Sequence, residues 1–448
     1  MGVAPLAASC RGGTIASPDV KIDRAPGVSG NRRLTAGEIT RRRLQQVALD
    51  LFWKKGYRST TTRDVAASLG VQQASLYYHM KTKEDLLYGI CYSSLLQVVE
   101  NAEAAAAIAA DPLEAVRGIA RSHLRTTLEY QKEFSVALIE CRALGTDYRA
   151  EIEGLWSRYH MMCNEVLDDA KAAGLVRAQI PNKYIYGPLM CTLNWAGLWY
   201  RQGKGLDVEQ LDGLYSKVFF DGAADPDFKR DVGSQAACRN LEFLVSPIAS
   251  SAQFAVNETY ARLLDTACAL FARKGYFATS IREIASAMGI QKASLYYYIS
   301  SKEDLIYQIS KTAMQHVTAC VNAALAQVSG PEERLFAFIA SHVAGLLQHQ
   351  NWHAAANEEL LHAFSPERRK EIVAMRDAYE QMARGILRDA QTAGLIRSDI
   401  SAKFLSLILF GMITNLYSWY QPEIDVAPVE LGGILADLFM TGIAPVRC

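Results

Sequence analysis

Lys54–Leu86 reads KKGYRSTTTRDVAASLGVQQASLYYHMKTKEDL, and Arg273–Leu305 reads RKGYFATSIREIASAMGIQKASLYYYISSKEDL. Aligned without a gap at an offset of 219, Ile39–Ile90 and Glu258–Ile309 share 25 identities in 52 positions, so one unit has been duplicated. The repeat resumes further on: DDAKAAGLVRAQI at Asp168–Ile180 returns as RDAQTAGLIRSDI at Arg388–Ile400, now at an offset of 220. Each copy spans roughly 190 residues, enough to bury a core of its own.

Within the repeated block, Leu44, Val47, Ala48, Leu51 and Phe52 fall at the spacing of one helical stripe, and Leu263, Thr266, Ala267, Leu270 and Phe271 repeat it. Gly56 and Gly275 stop that helix. Thr61 with Asp64, and Ser280 with Glu283, place a hydroxyl and a carboxylate three apart, which predicts a capping box at the start of a second helix. That helix offers Val65, Ala66 and Leu69, or Ile284, Ala285 and Met288, to the core and ends at Gly70 or Gly289, where a left-handed turn suits glycine.

A short helix, a glycine turn and a second short helix form a helix-turn-helix, whose second helix enters the major groove by its leading end. Gln72, Gln73 and Ser75 then stand where base edges pass, as do Gln291, Lys292 and Ser294. Glutamine pairs with adenine and lysine donates to guanine, so the two readers should prefer different half-sites. Tyr77, Tyr78 and His79, matched by Tyr296, Tyr297 and Tyr298, are expected on the last turn, within reach of phosphates together with Lys83 and Lys302.

The string from the KKGY or RKGY turn through T-x-R-D/E-V/I-A, S-L-Y-Y and K-E-D-L resembles the DNA-binding domain of the TetR family of bacterial regulators, over about 50 residues per copy. The resemblance implies an all-α protein. Three helices face DNA, about six more enclose a small-molecule pocket, and the last two pair with a twin. It also places Tyr77, Lys83, Tyr296 and Lys302 at phosphate-contact positions. The tandem arrangement departs from the single-copy pattern and leaves two assemblies open: a pseudo-dimer within one chain, or a two-chain homodimer.

The net charge of zero is unevenly spread. Residues 31–90 hold eleven Lys and Arg against five Asp and Glu, whereas residues 250–309 hold six against five. Because phosphate neutralisation drives non-specific DNA affinity, the first copy is expected to bind more strongly. Arg32, Arg33, Arg41, Arg42 and Arg43 add a basic arm ahead of its first helix. In the second copy the same block also fits a packing scaffold that has lost its operator.

Beyond the blocks, matched polar and aromatic residues mark candidate pocket positions: His123 with His342, Glu140 with Glu359, Trp195 with Asn415, and Trp199 with Trp419. Such residues suit an apolar pocket with a few oriented polar groups. They equally suit satisfied core residues and interface aromatics, the tryptophans above all. The same stretches loosely resemble ligand domains of TetR-like regulators that sense acyl-coenzyme A thioesters, so the effector is expected to be a hydrophobic compound or such a thioester.

Nine cysteines without a C-x-x-C spacing read as free thiols of a reducing compartment. No uncharged apolar run reaches membrane-spanning length and no signal-peptide core opens the chain, so a cytoplasmic protein is expected. His349, His353, Glu358 and His362 have a spacing compatible with a metal, but the first copy lacks equivalents and a solvated or core pair is the simpler reading. Catalytic signatures are missing, so neither an enzyme nor a cofactor is expected.

The organisation expected is an arm at 1–35, helix-turn-helix domains at 36–85 and 253–304, ligand and dimerisation domains at 86–222 and 305–448, and a linker at 223–252. The function expected is a ligand-responsive repressor of a near-palindromic double-stranded DNA operator. The alternative is a helical sensor or interaction module with one or both DNA-binding units inactive.

Overall fold

The computed structural model describes residues 36–200, 206–222, 258–276, 279–359 and 364–442, so the expected arm and linker lie outside the described residues. Those residues form helices and turns, with no β-strand among them. The first copy comprises α1 Ala36–Lys55, α2 Thr62–Leu69, α3 Gln73–Leu76, α4 Lys83–Ala107, α5 Pro112–Glu129, α6 Gln131–Glu140, α7 Thr146–Ala172, α8 Asn182–Trp199 and α9 Val208–Ser216. The second repeats that order as α10 Glu258–Lys274, α11 Ile281–Met288, α12 Lys292–Leu295, α13 Lys302–Leu325, α14 Pro331–Gln348, α15 Gln350–Glu359, α16 Pro366–Thr392, α17 Ala402–Thr414 and α18 Pro428–Thr441.

The chain divides into two compact units at places the repeat does not mark. One holds residues up to Ala170 together with Ala196–Gln202, and the other holds Lys171–Trp195 and everything from Gly203 onward. Part of the first copy, most of α8 and all of α9, is therefore built into the unit that carries the second copy.

Local chemistry explains the small domains. Thr61 Oγ1 accepts from the Asp64 amide at 3.1 Å while the Asp64 carboxylate accepts from the Thr61 amide at 2.7 Å. Ser280 and Glu283 do the same at 3.2 and 2.8 Å, so both α2 and α11 start on closed capping boxes. Gly70 and Gly289 follow with φ of 70° and 72°, the left-handed conformation that ends a helix sharply. Leu44, Ala48, Phe52, Val65, Ala66 and Leu76 are buried in the first copy, with Leu263, Ala267, Phe271, Ile284, Ala285 and Leu295 in the second. Each three-helix domain thus has an apolar centre worth roughly 1.5–3 kcal/mol per large side chain.

Candidate nucleic-acid interface and ligand chambers

The reader helices are short. α3 ends at Leu76 and α12 at Leu295, so Tyr77 and Tyr296 are their C-caps, and Tyr78, His79, Tyr297 and Tyr298 lie in the following turn instead of on the helix. The chain leaves the helix through overlapping turns, with the His79 and Met80 amides both donating to Leu76 O.

That turn lifts the aromatics outward. Tyr78 and Tyr297 are both 89% exposed, and Tyr77 and Tyr296 are 53% and 48% exposed. The same exposed pair recurs in both copies, at the positions where phosphate contacts are expected from the sequence. Tyr298 differs from His79: it is half-buried and its ring lies 6.4 Å from that of Tyr260 on α10.

Gln72, Gln73, Ser75, Gln291 and Lys292 are exposed at the leading ends, and Ser294 is half-buried. Gln72 and Gln291 are the N-caps yet make no side-chain cap, which leaves their carboxamides uncommitted to their own helices. Gln73 Nε2 donates to Thr62 Oγ1 at 2.8 Å, tying the reader to α2. Lys292 Nζ lies 5.7 Å from the Tyr296 ring centre. Thr61 and Ser280 spend their hydroxyls on capping. Arg41, Arg42 and Arg43, expected as an arm ahead of the first helix, instead lie inside α1; Arg42 is half-buried, and the side chain of Arg41 is not described.

Two expectations change. The Lys83 ammonium is half-buried and already engaged: it donates to Tyr57 O at 2.8 Å and Thr60 O at 2.7 Å and sits 4.1 Å from the Tyr57 ring centre. Burial lowers its pKa. Lys302 repeats this with Tyr276 O at 3.0 Å, Thr279 O at 3.1 Å and the Tyr276 ring at 4.3 Å. Both lysines therefore clamp the turn between the first two helices onto the start of the fourth.

Glu140 also moves out of the pocket set. Its carboxylate accepts from the Tyr57 amide at 2.9 Å, joining the end of α6 to the same turn. The Tyr57 phenol is pushed up to about 12, by burial first and then by Glu84, with Glu140 contributing. The counterpart Glu359 lies where side chains are not described. In the second copy the corresponding bridge is Trp352, whose Nε1 donates to Asp265 Oδ1 on α10 at 2.7 Å.

The matched histidines are buried beside tyrosines that sequence reading passed over. His123 Nδ1 and the Tyr159 hydroxyl are 3.0 Å apart, and His342 Nδ1 and the Tyr379 hydroxyl are 2.7 Å apart. Tyr159 and Tyr379 occupy equivalent repeat positions, a signal present in the sequence. Near the first pair, Cys91, Leu95, Phe134, Ala137, Leu138, Ile152 and Trp156 line a small apolar recess between α4, α6 and α7.

The second copy is polar where the first is aromatic. His353 and Arg376 replace Phe134 and Trp156, and His316 replaces Gln97. His316 and His349 rings lie 4.7 Å apart, and His349 stacks on Trp352 at 3.9 Å with an interplanar angle of 9°. Burial lowers the imidazole pKa of His316 and His342 to about 4 and that of His353 to about 3. His353 Nε2 is buried without a hydrogen-bond partner. Among the described residues no group of three or more His, Cys, Asp or Glu gathers as a metal site.

The remaining pocket candidates are scattered. Trp195 is half-buried on α8, and Trp199 has its ring 6.5 Å from that of Tyr200. Asn415 caps α17 and accepts from the Tyr417 hydroxyl at 3.1 Å. Trp419 packs against α8, where a Cβ on Gly187 would stand 3.0 Å from its Cε2. Trp419 is thus an inter-copy packing residue, as its aromatic character allowed.

Family comparison matches this geometry twice. The model described as bacterial regulatory proteins, tetR family, matches residues 45–89 and 263–309, and that described as tetracyclin repressor-like, C-terminal domain, matches 109–223 and 328–443. The chain belongs to the TetR family of DNA-binding transcriptional regulators. It is similar to the HTH-type transcriptional repressor KstR2 of Mycobacterium tuberculosis, 25% identical over 191 residues, covering 42% of this chain and 95% of the relative. The Rhodococcus jostii KstR2 is 26% identical over 182 residues, covering 41% and 89%. Among solved structures, the TetR family regulator PfmR from Thermus thermophilus is 30% identical at a TM-score of 0.39, covering 41% of this chain and 100% of PfmR. Those relatives have the length of one copy. This TetR-family chain carries two. Among its described residues, no helix is long and apolar enough to cross a membrane.

Proposed function

We propose that the chain is a ligand-responsive repressor whose two helix-turn-helix units read one near-palindromic operator, and that a small hydrophobic compound or acyl thioester releases it. One observation carries the reading: in both copies a reader helix with an uncommitted leading carboxamide is followed by two solvent-facing tyrosines, Tyr77 and Tyr78 or Tyr296 and Tyr297. Leading-end carboxamides suit base edges and the tyrosines suit phosphates. First-copy helices α8 and α9 pack within the same unit as α17 and α18, which supports a pseudo-dimer inside one chain.

Release follows from the bridges. A ligand wedged into the recess bears on α6, and α6 holds the α1–α2 turn through Glu140. In the second copy the path runs from the histidine cluster through Trp352 to Asp265. Either shift biases the tilt of a reader, and affinity for DNA falls to the extent that ligand favours the tilted state.

The test is fluorescence anisotropy on the DNA upstream of the chain's own gene, at two salt concentrations, for the wild type, Tyr77→Ala with Tyr78→Ala, and Tyr296→Ala with Tyr297→Ala. Each pair is expected to weaken binding about tenfold, as loss of one to two phosphate contacts would. Equal binding by all three proteins would remove the regulator reading for those surfaces. A second reading, in which only the first copy grips DNA, is favoured by its larger excess of positive charge and predicts loss for the first pair alone.

A further inference from the structure

Among the described residues, three ion pairs join first-copy to second-copy segments inside the second unit, and they run one way. Arg177 Nη1 meets Asp437 Oδ2 at 2.5 Å, Lys183 Nζ meets Asp425 Oδ2 at 2.6 Å, and Lys217 pairs with Asp399. In each, the first copy supplies the cation and the second the acid. Arg177 is 6% exposed at its side chain and its Nε and Nη2 have no hydrogen-bond partner, so its buried charge rests on Asp437. Asp425 is 3% exposed at its side chain and also accepts from the Tyr184 hydroxyl at 3.2 Å.

The repeat register, offset by 220, shows what a like-with-like pairing would contain. Lys217 stands where the second copy has Asp437, Gln179 where it has Asp399, and Gly205 where it has Asp425. Two first-copy faces would therefore set Arg177 against Lys217 on both sides of the two-fold axis and would lose every one of these three pairs. Arg177 is 6% exposed at its side chain, so a like charge placed against it would be less screened than at the open surface.

Packing points the same way. A Cβ on Gly411 would lie 2.8 Å from Thr192 Cα, a backbone atom, and the first copy carries Cys191 at that position. Two second-copy faces are barred from each other in turn, because the second copy carries Leu407 where Gly187 approaches Trp419. A leucine there has three carbons beyond the Cβ that already meets the indole at 3.0 Å.

We propose that the face formed by α8 and α9 of the first copy is a one-partner surface: it accepts a second-copy face and rejects another first-copy face. Duplication has then turned a self-complementary interface into a matched pair of unlike halves. The inference rests on the pseudo-dimer reading above and names its partner.

The full chain tests it. Amine cross-linking with mass spectrometry distinguishes the pairings, because a Lys183–Lys183 link joins two chains by definition. None is expected, and the wild type should scatter as one chain of 49.4 kDa or, if halves exchange between chains, as a two-chain particle still lacking that link. Asp437→Lys, which installs the first copy's residue opposite Arg177, should lower the melting midpoint of this unit by about 3 °C or more, and Arg177→Asp with Asp437→Arg should recover most of it. A Lys183–Lys183 link in the wild type, or an Asp437→Lys variant as stable as the wild type, overturns the proposal. Operator binding measured on the same samples separates the two failures: a chain that self-pairs yet binds DNA sinks this inference and spares the regulatory one.

Discussion

Acid should loosen the second copy through His342 and His353. In an unfolded chain both imidazoles take up protons near pH 6.5, whereas burial holds them neutral in the folded protein down to about 4 and about 3. Their folded values are depressed, so no penalty exists above pH 6.5. It grows as the pH falls, because the unfolded state binds the extra protons. At pH 5 the unfolded chain gains about 2 kcal/mol from each histidine, 1.5 units at 1.36 kcal/mol per unit, or about 4 kcal/mol for the pair. His316, held at about 4 as well, adds a comparable share. Urea unfolding at pH 7 and pH 5 measures the loss. His353→Phe, which installs the residue of the first copy, isolates one share: the variant should gain about 2 kcal/mol on the wild type between pH 7 and pH 5. A gain under about 0.5 kcal/mol would mean that His353 protonates freely in the folded state, and the dry, neutral cluster would be wrong.

Three further outcomes are expected. Lys83→Met should destabilise the first helix-turn-helix by about 1–3 kcal/mol in thermal unfolding, since two carbonyls lose their shared donor, while the salt slope of DNA binding changes by less than the unit a lost phosphate contact would give. Glu140→Ala should leave the Tyr57 amide without its acceptor, cost about 1–2 kcal/mol, and blunt the response of DNA binding to ligand more than binding itself. Trp352→Phe removes the indole N–H that reaches Asp265, and should make operator affinity less sensitive to changes at the second-copy histidine cluster, read by anisotropy as a smaller ligand effect.

What the sequence discloses here is whatever spans three or four residues. The capping boxes at Thr61 and Ser280, the left-handed Gly70 and Gly289, and the apolar stripe ending at Phe52 and Phe271 are local, and each stands where spacing placed it. The all-α character comes with the family resemblance that these local motifs carry. Long-range partners were hidden. Glu140 reaches an amide 83 residues away, and His123 a hydroxyl 36 residues away, so neither role was visible from residue type. Lys83 illustrates the limit best: a lysine opening a helix beside a DNA-facing turn invites a phosphate, yet two carbonyls 23 and 26 residues upstream take its protons first.

The two copies have diverged unevenly, and physics says where divergence is cheap. The helix-turn-helix core must bury the same small set of side chains under the same two glycine turns, so Leu44, Phe52 and Val65 keep close matches in Leu263, Phe271 and Ile284. A chamber tolerates exchange of Phe134 for His353 provided the buried imidazole stays neutral, which the depressed pKa achieves. An interface between covalently joined halves is freer still, because neither half must complement itself. Once one chain supplied both faces, an acid on one side needed only a cation on the other, and Arg177 with Asp437 could replace a pair bound by two-fold symmetry. On the proposed pseudo-dimer, divergence at the interface follows from this covalent joining: the first-copy face needs to fit only a second-copy face, and is released from the demands that a self-pairing regulator places on a single sequence.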